Sequence, residues 1–475
     1  MARQEDDDGS VGKQRTPTVE IRSSHLNPTD AALWDIERDP MLRTTIVAVM
    51  VLDRPIDHRR LTDTFEIATR RVPRLRQRVV ANIAGVGTPR WEIDPGFDLA
   101  DHVRIIPIDD VVDEAAIARV AAPMASTPFD RSRPLWELAY LDPPAGQSAV
   151  VVKVHHSLTD GVGGIGLLDE VLDRRRRDDR PDPSTVPIPV PARRPPPGID
   201  ERGALVRRGL AVPWNVADAA TTATFHPLRT TRDLIEGVGS ARRLLAPSDA
   251  PLSPVLTDRG TDRSVGVGEF DLGQLRAAAK RHDCTVNHAF FAGVVGGIAE
   301  YHRAMGSDVA ELRVTMPVNV RTERDGRAGN RWAPVRMVVP ADIDDPVERM
   351  MAMRSLVVAS RRERALGFSQ RLAGIVQMLP AAVSSSVVAG MMRGVDATLT
   401  NVPGLTEPHY IAGAAVERMF AFAPTGGAAL TVSLMSHLGT ACIGVVSDVA
   451  AVADPDLLTS SIIDGIAALI AAAGA

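Results

Sequence analysis

A run of β-branched residues from Val150 to Val154, interrupted only by Lys153, ends on two consecutive histidines, His155 and His156. It continues as Ser157-Leu158-Thr159-Asp160-Gly161. Such a run reads as a buried strand. Residues 134–141 read as a second strand, and the turn chemistry of Asp142-Pro143-Pro144-Ala145-Gly146-Gln147 joins the two as a hairpin. Successive side chains on a strand face opposite ways. His155 and His156 therefore cannot both serve one cleft, and one of them is the candidate for chemistry. A neutral imidazole is the side chain best suited to accept a proton near pH 7. A hydrogen-bonded core histidine and a metal ligand are the competing readings. The metal reading is the weaker, because metal sites want three or more convergent ligands and the chain has neither HExxH nor paired CxxC. Ser157 sits in no GxSxG elbow, which argues against a serine nucleophile. A general base in an open cleft is the reading these residues favour.

At 475 residues the chain can bury two full cores. Its 45% hydrophobic and 24% charged composition fits a soluble globular protein, and a net charge of -5 gives no electrostatic case for nucleic acid. Two cysteines, Cys284 and Cys442, make no disulfide framework, so a reducing cytoplasm is expected. The first 20 residues are polar, acidic and expected to be disordered, and no uncharged apolar run reaches the ~18 residues of a spanning helix. We expect no integral membrane segment.

Four divisions follow from the pattern: a disordered lead-in (1–20), a first α/β unit (21–172), a linker and helical crossover (173–262) and a second α/β unit (263–475). In the crossover Arg174-Arg175-Arg176-Arg177 runs into eight prolines between Pro181 and Pro197. Proline at that density excludes helix and sheet and predicts a semi-rigid extended linker. The arginine run reads as a solvated flank, with contact to anionic lipid as the alternative. Residues 205–250 read as helical and amphipathic. Strands are expected at 46–51, 264–270, 312–319, 335–340, 396–401, 416–422, 429–436 and 440–447, and helices at 30–38, 58–71, 271–282, 286–304 and 346–363. The fold class is α/β (α+β), two layered units side by side.

His155-His156-Ser157-Leu158-Thr159-Asp160-Gly161 matches the HHxxxDG signature of the bacterial wax ester synthase/acyl-CoA:diacylglycerol acyltransferase family. It more distantly resembles the HxxxD motif of CoA-dependent acyltransferases. Other landmarks occur in family order: Asn27-Pro28-Thr29-Asp30, Phe97-Asp98-Leu99, Arg131 to Glu137, Thr285-Val286-Asn287, Pro317 to Arg321, Gly329-Asn330-Arg331 and Thr400-Asn401-Val402-Pro403-Gly404. The resemblance implies two acyltransferase subdomains, each a mixed sheet with helices, and an active-site channel at their interface. It implies an enzyme moving a fatty acyl group from acyl-CoA to diacylglycerol, to a long-chain alcohol, or to both. Acylation of another lipid alcohol such as a polyketide diol, or a degenerate lipid-binding role on inclusions, are the alternatives. No cofactor is implied, acyl-CoA being a substrate. Peripheral contact with membrane or lipid inclusions is expected, because the acceptors are lipids.

The superfamily spacing makes His156 the proton acceptor. Asp160 either orients it or supports the loop through a distant arginine, for which Arg321 is the candidate; Gly161 permits a close turn. Asn287, in the first turn of a helix, is the candidate oxyanion donor, with helix capping as the plainer alternative. The family usually has Asn-Asp here, whereas this chain has Asn287-His288. Trp136, beside the histidines, reads as core packing or as a wall of the acyl path. His155, Gly161 and Ser436 are further candidates for contact with substrate.

Overall fold

The computed structural model describes residues 18–81, 88–109, 111–158, 168, 170–177, 182–192, 250–319, 332–362 and 394–474. Two six-stranded sheets organise them. The first contains β3 (Thr45–Leu52), β6 (Val103–Pro107), β7 (Trp136–Asp142) and β8 (Ser148–His155). The second contains β10 (Arg263–Asp271), β11 (Glu311–Asn319), β12 (Trp332–Pro340), β13 (Ala397–Val402), β16 (Leu430–His437) and β17 (Thr440–Asp448), in the order β10-β17-β16-β13-β11-β12. β7 and β8 form the expected antiparallel hairpin, with Trp136 opposite Val154. The helices are α1 (Pro28–Ile36), α2 (His58–Arg71), α3 (Glu114–Ser126), α4 (Leu272–Arg281), α5 (Val286–Ala304), α6 (Pro346–Arg362) and α7 (Pro455–Gly474).

Local chemistry sets the helix starts. Asn27 caps α1, its side-chain oxygen accepting from Asp30 N at 2.8 Å, with Pro28 entering the first turn. Asp271 does the same for α4, accepting from Gln274 N at 2.7 Å. Small residues decide how α5 and α7 meet. An added Cβ at Gly293 would lie 2.8 Å from the Ile466 Cα, and one at Gly465 would lie 2.6 Å from Gly297 N. The two helices approach to backbone contact, and Leu458, Ile462, Ile466 and Leu469 are fully buried there. α7 is long and apolar enough to cross a membrane by length and composition; here one face of it packs on α5 and the core of the second unit.

The boundary expected at 263–475 is corrected by one crossover. β14 (Tyr410–Ile411) and β15 (Ala414–Phe422) leave the second unit and complete the first sheet, in the order β14-β15-β3-β8-β7-β6. β15 pairs antiparallel with β3, from Val416 opposite Leu52 to Phe422 opposite Val47. An alternating apolar run of this kind specifies a strand but not the sheet it joins. Asp53 holds the graft: its N–H donates to Ala415 O at 3.0 Å and its Oδ1 accepts from Ala415 N at 2.8 Å.

Two further expectations are corrected. Arg176 is not a solvated flank: it reaches Asp53 Oδ2 at 2.6 Å and donates to Gly413 O at 3.0 Å, clamping the crossover hairpin. The proline-rich stretch does contain a strand. β9 (Ile188–Pro191) pairs parallel with β1 (Thr18–Ile21), so residues 18–20 are ordered as well. A two-stranded ribbon leaves each proline nitrogen facing an edge, where its missing N–H costs nothing. Arg70 of α2 fastens this stretch by donating to Pro183 O at 2.6 Å and Val186 O at 3.1 Å. The helix expected at 205–250 lies outside the described residues apart from Ala250, which is in a bend.

Candidate active site

β8 delivers the two histidines to different environments. Val151 and Ala149 pack on the α3 side of the sheet, while Val150, Val152 and Val154 join the cluster of Trp136, Leu138 and Tyr140 on the other. Lys153 and His155 lie with the first set and are fully buried. Lys153 is satisfied by Glu137 Oε1 at 3.1 Å and lies over the Phe129 ring at 4.2 Å; burial still pushes its pKa below the usual lysine range.

His155 is tied at both ring nitrogens. Nδ1 accepts from Ser157 N at 3.0 Å, and Nε2 lies 3.0 Å from Glu37 Oε2 and 3.2 Å from Thr44 Oγ1. Trp34 and Phe129 flank the ring at centroid distances of 5.9 and 6.0 Å. The expectation that His155 touches substrate is therefore corrected: it has no exposed surface, and its nitrogens are used by the protein. Glu37, which the sequence reading missed, closes α1. Burial would raise its carboxyl, but His155, the Thr44 N–H and Arg131 together hold it down at about 2. A carboxylate closing a helix, where a basic residue or glycine is favoured, was the available signal.

His156 is half-buried, just beyond the strand, and its backbone N–H donates to Thr44 O at 2.9 Å. Asp160, Gly161 and Arg321 lie outside the described residues. Trp136 is 2% exposed, stacked on His102 at 4.6 Å, and its indole N–H donates to Leu75 O at 2.8 Å. Phe65 stacks on it from 6.4 Å and Phe97 stacks on His102 from 5.2 Å. This aromatic column makes Trp136 a core residue, not a wall of the acyl path.

The second unit contributes from the ends of its strands. The Asn401 amide donates to Asn287 Oδ1, which leaves the Asn287 NH2 as that side chain's donating group. His288 takes a role that an acidic residue could fill, its Nδ1 accepting from the Thr285 N–H at 3.2 Å. The Ser436 hydroxyl accepts from Gly404 N at 3.2 Å and so holds the turn after β13. Gly404 is required there, because an added Cβ would lie 3.2 Å from the Met435 Cγ and collide with the Ser436 carbonyl. Asn401 is the second residue missed as a site candidate, although it stands in a recognised landmark. Its neighbour Val402 and Met435, beside Ser436, pack in the same apolar cluster as Val154 and Leu158, which bracket His156. That shared cluster packs the chain on either side of His156 against the strand ends of the second unit.

Two mixed sheets tied by an exchanged hairpin, with a histidine turn at their seam, define a two-subdomain acyltransferase fold. The solved wax ester synthase/diacylglycerol acyltransferase from Marinobacter aquaeolei VT8 superposes with a TM-score of 0.64 at 18% identity, covering 95% of this chain and 100% of that one. The first condensation domain of the calcium-dependent antibiotic synthetase superposes at 0.60, with 16% identity over 95% of this chain and 96% of that one. The chain belongs to the wax ester synthase/diacylglycerol acyltransferase family of acyltransferases: the family's catalytic-domain model matches residues 26–290 and its C-terminal-domain model residues 328–469. A putative diacylglycerol O-acyltransferase of Mycobacterium tuberculosis is 32% identical over 95% of this chain and 93% of its own length.

Proposed function

We propose that this enzyme transfers a fatty acyl group directly from acyl-CoA to diacylglycerol, giving triacylglycerol, or to a long-chain alcohol, giving a wax ester. The reading is supported above all by the division of labour between the two histidines. His155 is committed to Glu37 and Ser157, while His156 stands half-buried at the seam. His156 takes the hydroxyl proton as the acceptor oxygen attacks the thioester carbon. The Asn287 amide, at the positive end of α5, stabilises the oxyanion. The C–S bond then breaks and His156 returns the proton to the CoA thiolate. General-base help of this kind supplies ~10²–10⁴-fold, and holding both substrates in one channel supplies proximity. No covalent acyl-enzyme and no cofactor are needed, because a thioester is already activated. His288 in place of the usual aspartate is what keeps a degenerate lipid-binding reading open; its Nδ1 accepts from the Thr285 N–H, so the start of α5 is capped despite the change.

The test offers labelled palmitoyl-CoA to the purified protein with diacylglycerol and with hexadecanol separately. Labelled triacylglycerol, wax ester or both is the expected product. Failure with both acceptors while another alcohol is acylated would move the assignment to a different acceptor, and no turnover at all would sink it.

We also infer a cytoplasmic enzyme held peripherally on membranes or lipid inclusions, because its acceptors are lipids while its one helix of sufficient length among the described residues packs one face on the core of the second unit. It is expected to float with lipid in cell extracts and to be partly released by high salt or mild detergent. Release only on full bilayer solubilisation would contradict this.

A further inference from the structure

We propose that Glu37 is a positioning residue for acyl transfer: its buried carboxylate selects the His155 tautomer that pins the turn carrying His156. The proposal rests on the general-base reading of His156.

The side chain of Glu37 is 6% exposed and sits at the negative end of α1, where the helix dipole disfavours it. What holds it there is a set of donors. Its Oε1 accepts from Thr44 N at 2.7 Å and from Thr44 Oγ1 at 3.1 Å, its Oε2 faces His155 Nε2 at 3.0 Å, and Arg131 Nη2 lies 3.6 Å away. Arg131 is itself stacked over Trp34 at 4.1 Å and donates to Trp34 O at 3.0 Å, so it is fixed independently.

The other side of the imidazole requires the same tautomer. A backbone N–H can only donate, so His155 Nδ1, which receives Ser157 N–H at 3.0 Å, must carry a lone pair. The ring proton then belongs on Nε2, directed at Glu37. Between Trp34 and Phe129 the ring has no exposed surface through which to turn over.

His156 lies between two points that Glu37 controls. Its own N–H donates to Thr44 O at 2.9 Å, and Thr44 is held by Glu37 through both N and Oγ1. The N–H of the next residue, Ser157, is the one His155 Nδ1 receives. The carboxylate therefore fixes the backbone on both sides of the base, and misplacing a reacting group by ~1 Å can cost ~10²-fold.

Glu37→Gln keeps the shape and breaks the logic. If the amide oxygen faces the Thr44 donors, the NH2 faces Nε2, so the ring proton must move to Nδ1 and oppose Ser157 N–H. If the amide faces the other way, Thr44 is lost. The expected result is a fall in kcat of ~10–100-fold with KM for acyl-CoA changed less than about twofold. The ¹⁵N spectrum of histidine-labelled protein should show His155 protonated on Nε2 in the wild type and on Nδ1 in E37Q.

Two further variants separate the halves of the link. His155→Asn places an amide oxygen near Nδ1 and removes the group facing residue 37, whereas His155→Gln retains the donor to Glu37 and abandons Ser157. H155N is expected to keep more kcat than H155Q, and E37Q to cost less in the H155N background than alone. An E37Q enzyme with wild-type kcat, an unchanged tautomer with the Thr44 contacts intact, or losses fully additive with H155N would each overturn the proposal. Should E37Q fail to fold, equal kcat for H155N and H155Q overturns it. Turnover of His156→Ala decides the general-base reading separately, while the tautomer and the rescue decide the Glu37 link whichever way that falls.

Discussion

Replacing His156 with alanine is expected to lower turnover by ~10²-fold or more while leaving the protein folded. The side chain is half-buried and follows the last residue of β8, and the backbone bond from His156 N to Thr44 O at 2.9 Å survives the substitution. Truncation therefore removes a proton acceptor without opening the core. His155→Ala should behave in the opposite order. It would leave the buried Ser157 N–H without its partner, at a cost on the order of 1–3 kcal/mol, and take one donor from Glu37, which keeps Thr44 and Arg131. Melting temperatures and single-turnover rates of the two variants, measured side by side, check the assignment. A His156→Ala enzyme with near-wild-type rates would remove the general base from the mechanism. Asp160→Asn should lose melting temperature together with rate if it supports the loop, and rate alone if it orients the imidazole.

Gly297→Val is expected to destabilise the second unit by about 3 kcal/mol or more, the upper end of what overpacking a well-packed core costs. A Cβ at position 297 would lie 2.8 Å from Ile462 N, in the backbone of α7, and backbone cannot move aside as a flexible side chain can. Gly297→Ala recovers up to about 1 kcal/mol of helix propensity and meets the same wall, so it should fall between the two. Thermal denaturation reads the effect directly. Wild-type stability in Gly297→Val would mean that α5 and α7 are not in backbone contact, and would reopen a membrane role for α7.

Much of this protein was legible in its sequence because the signals were local. The helices at 58–71 and 286–304 have the expected bounds, and β3, β8, β10 and β17 fall within a residue or two of theirs. The choice of His156 over His155 needed alternation along β8 to separate the two and the HHxxxDG resemblance to choose between them. Trp136 was weighed as core or wall, and only its neighbours decided. The stack on His102 and the bond to Leu75 come from residues tens of positions away, which no local pattern encodes.

By itself the sequence determined the elements, the family and the motif, because period, capping chemistry and motif spacing are written in neighbouring residues. The tertiary structure alone decided that β15 completes the first sheet, that Arg176 clamps it there, that proline-bearing β9 pairs with β1, and that Glu37 lies against His155. Each of these joins residues over a hundred positions apart. Strand pairing and burial are settled by which surfaces fit once the sheets have formed, and a chain read in order carries no record of that fit.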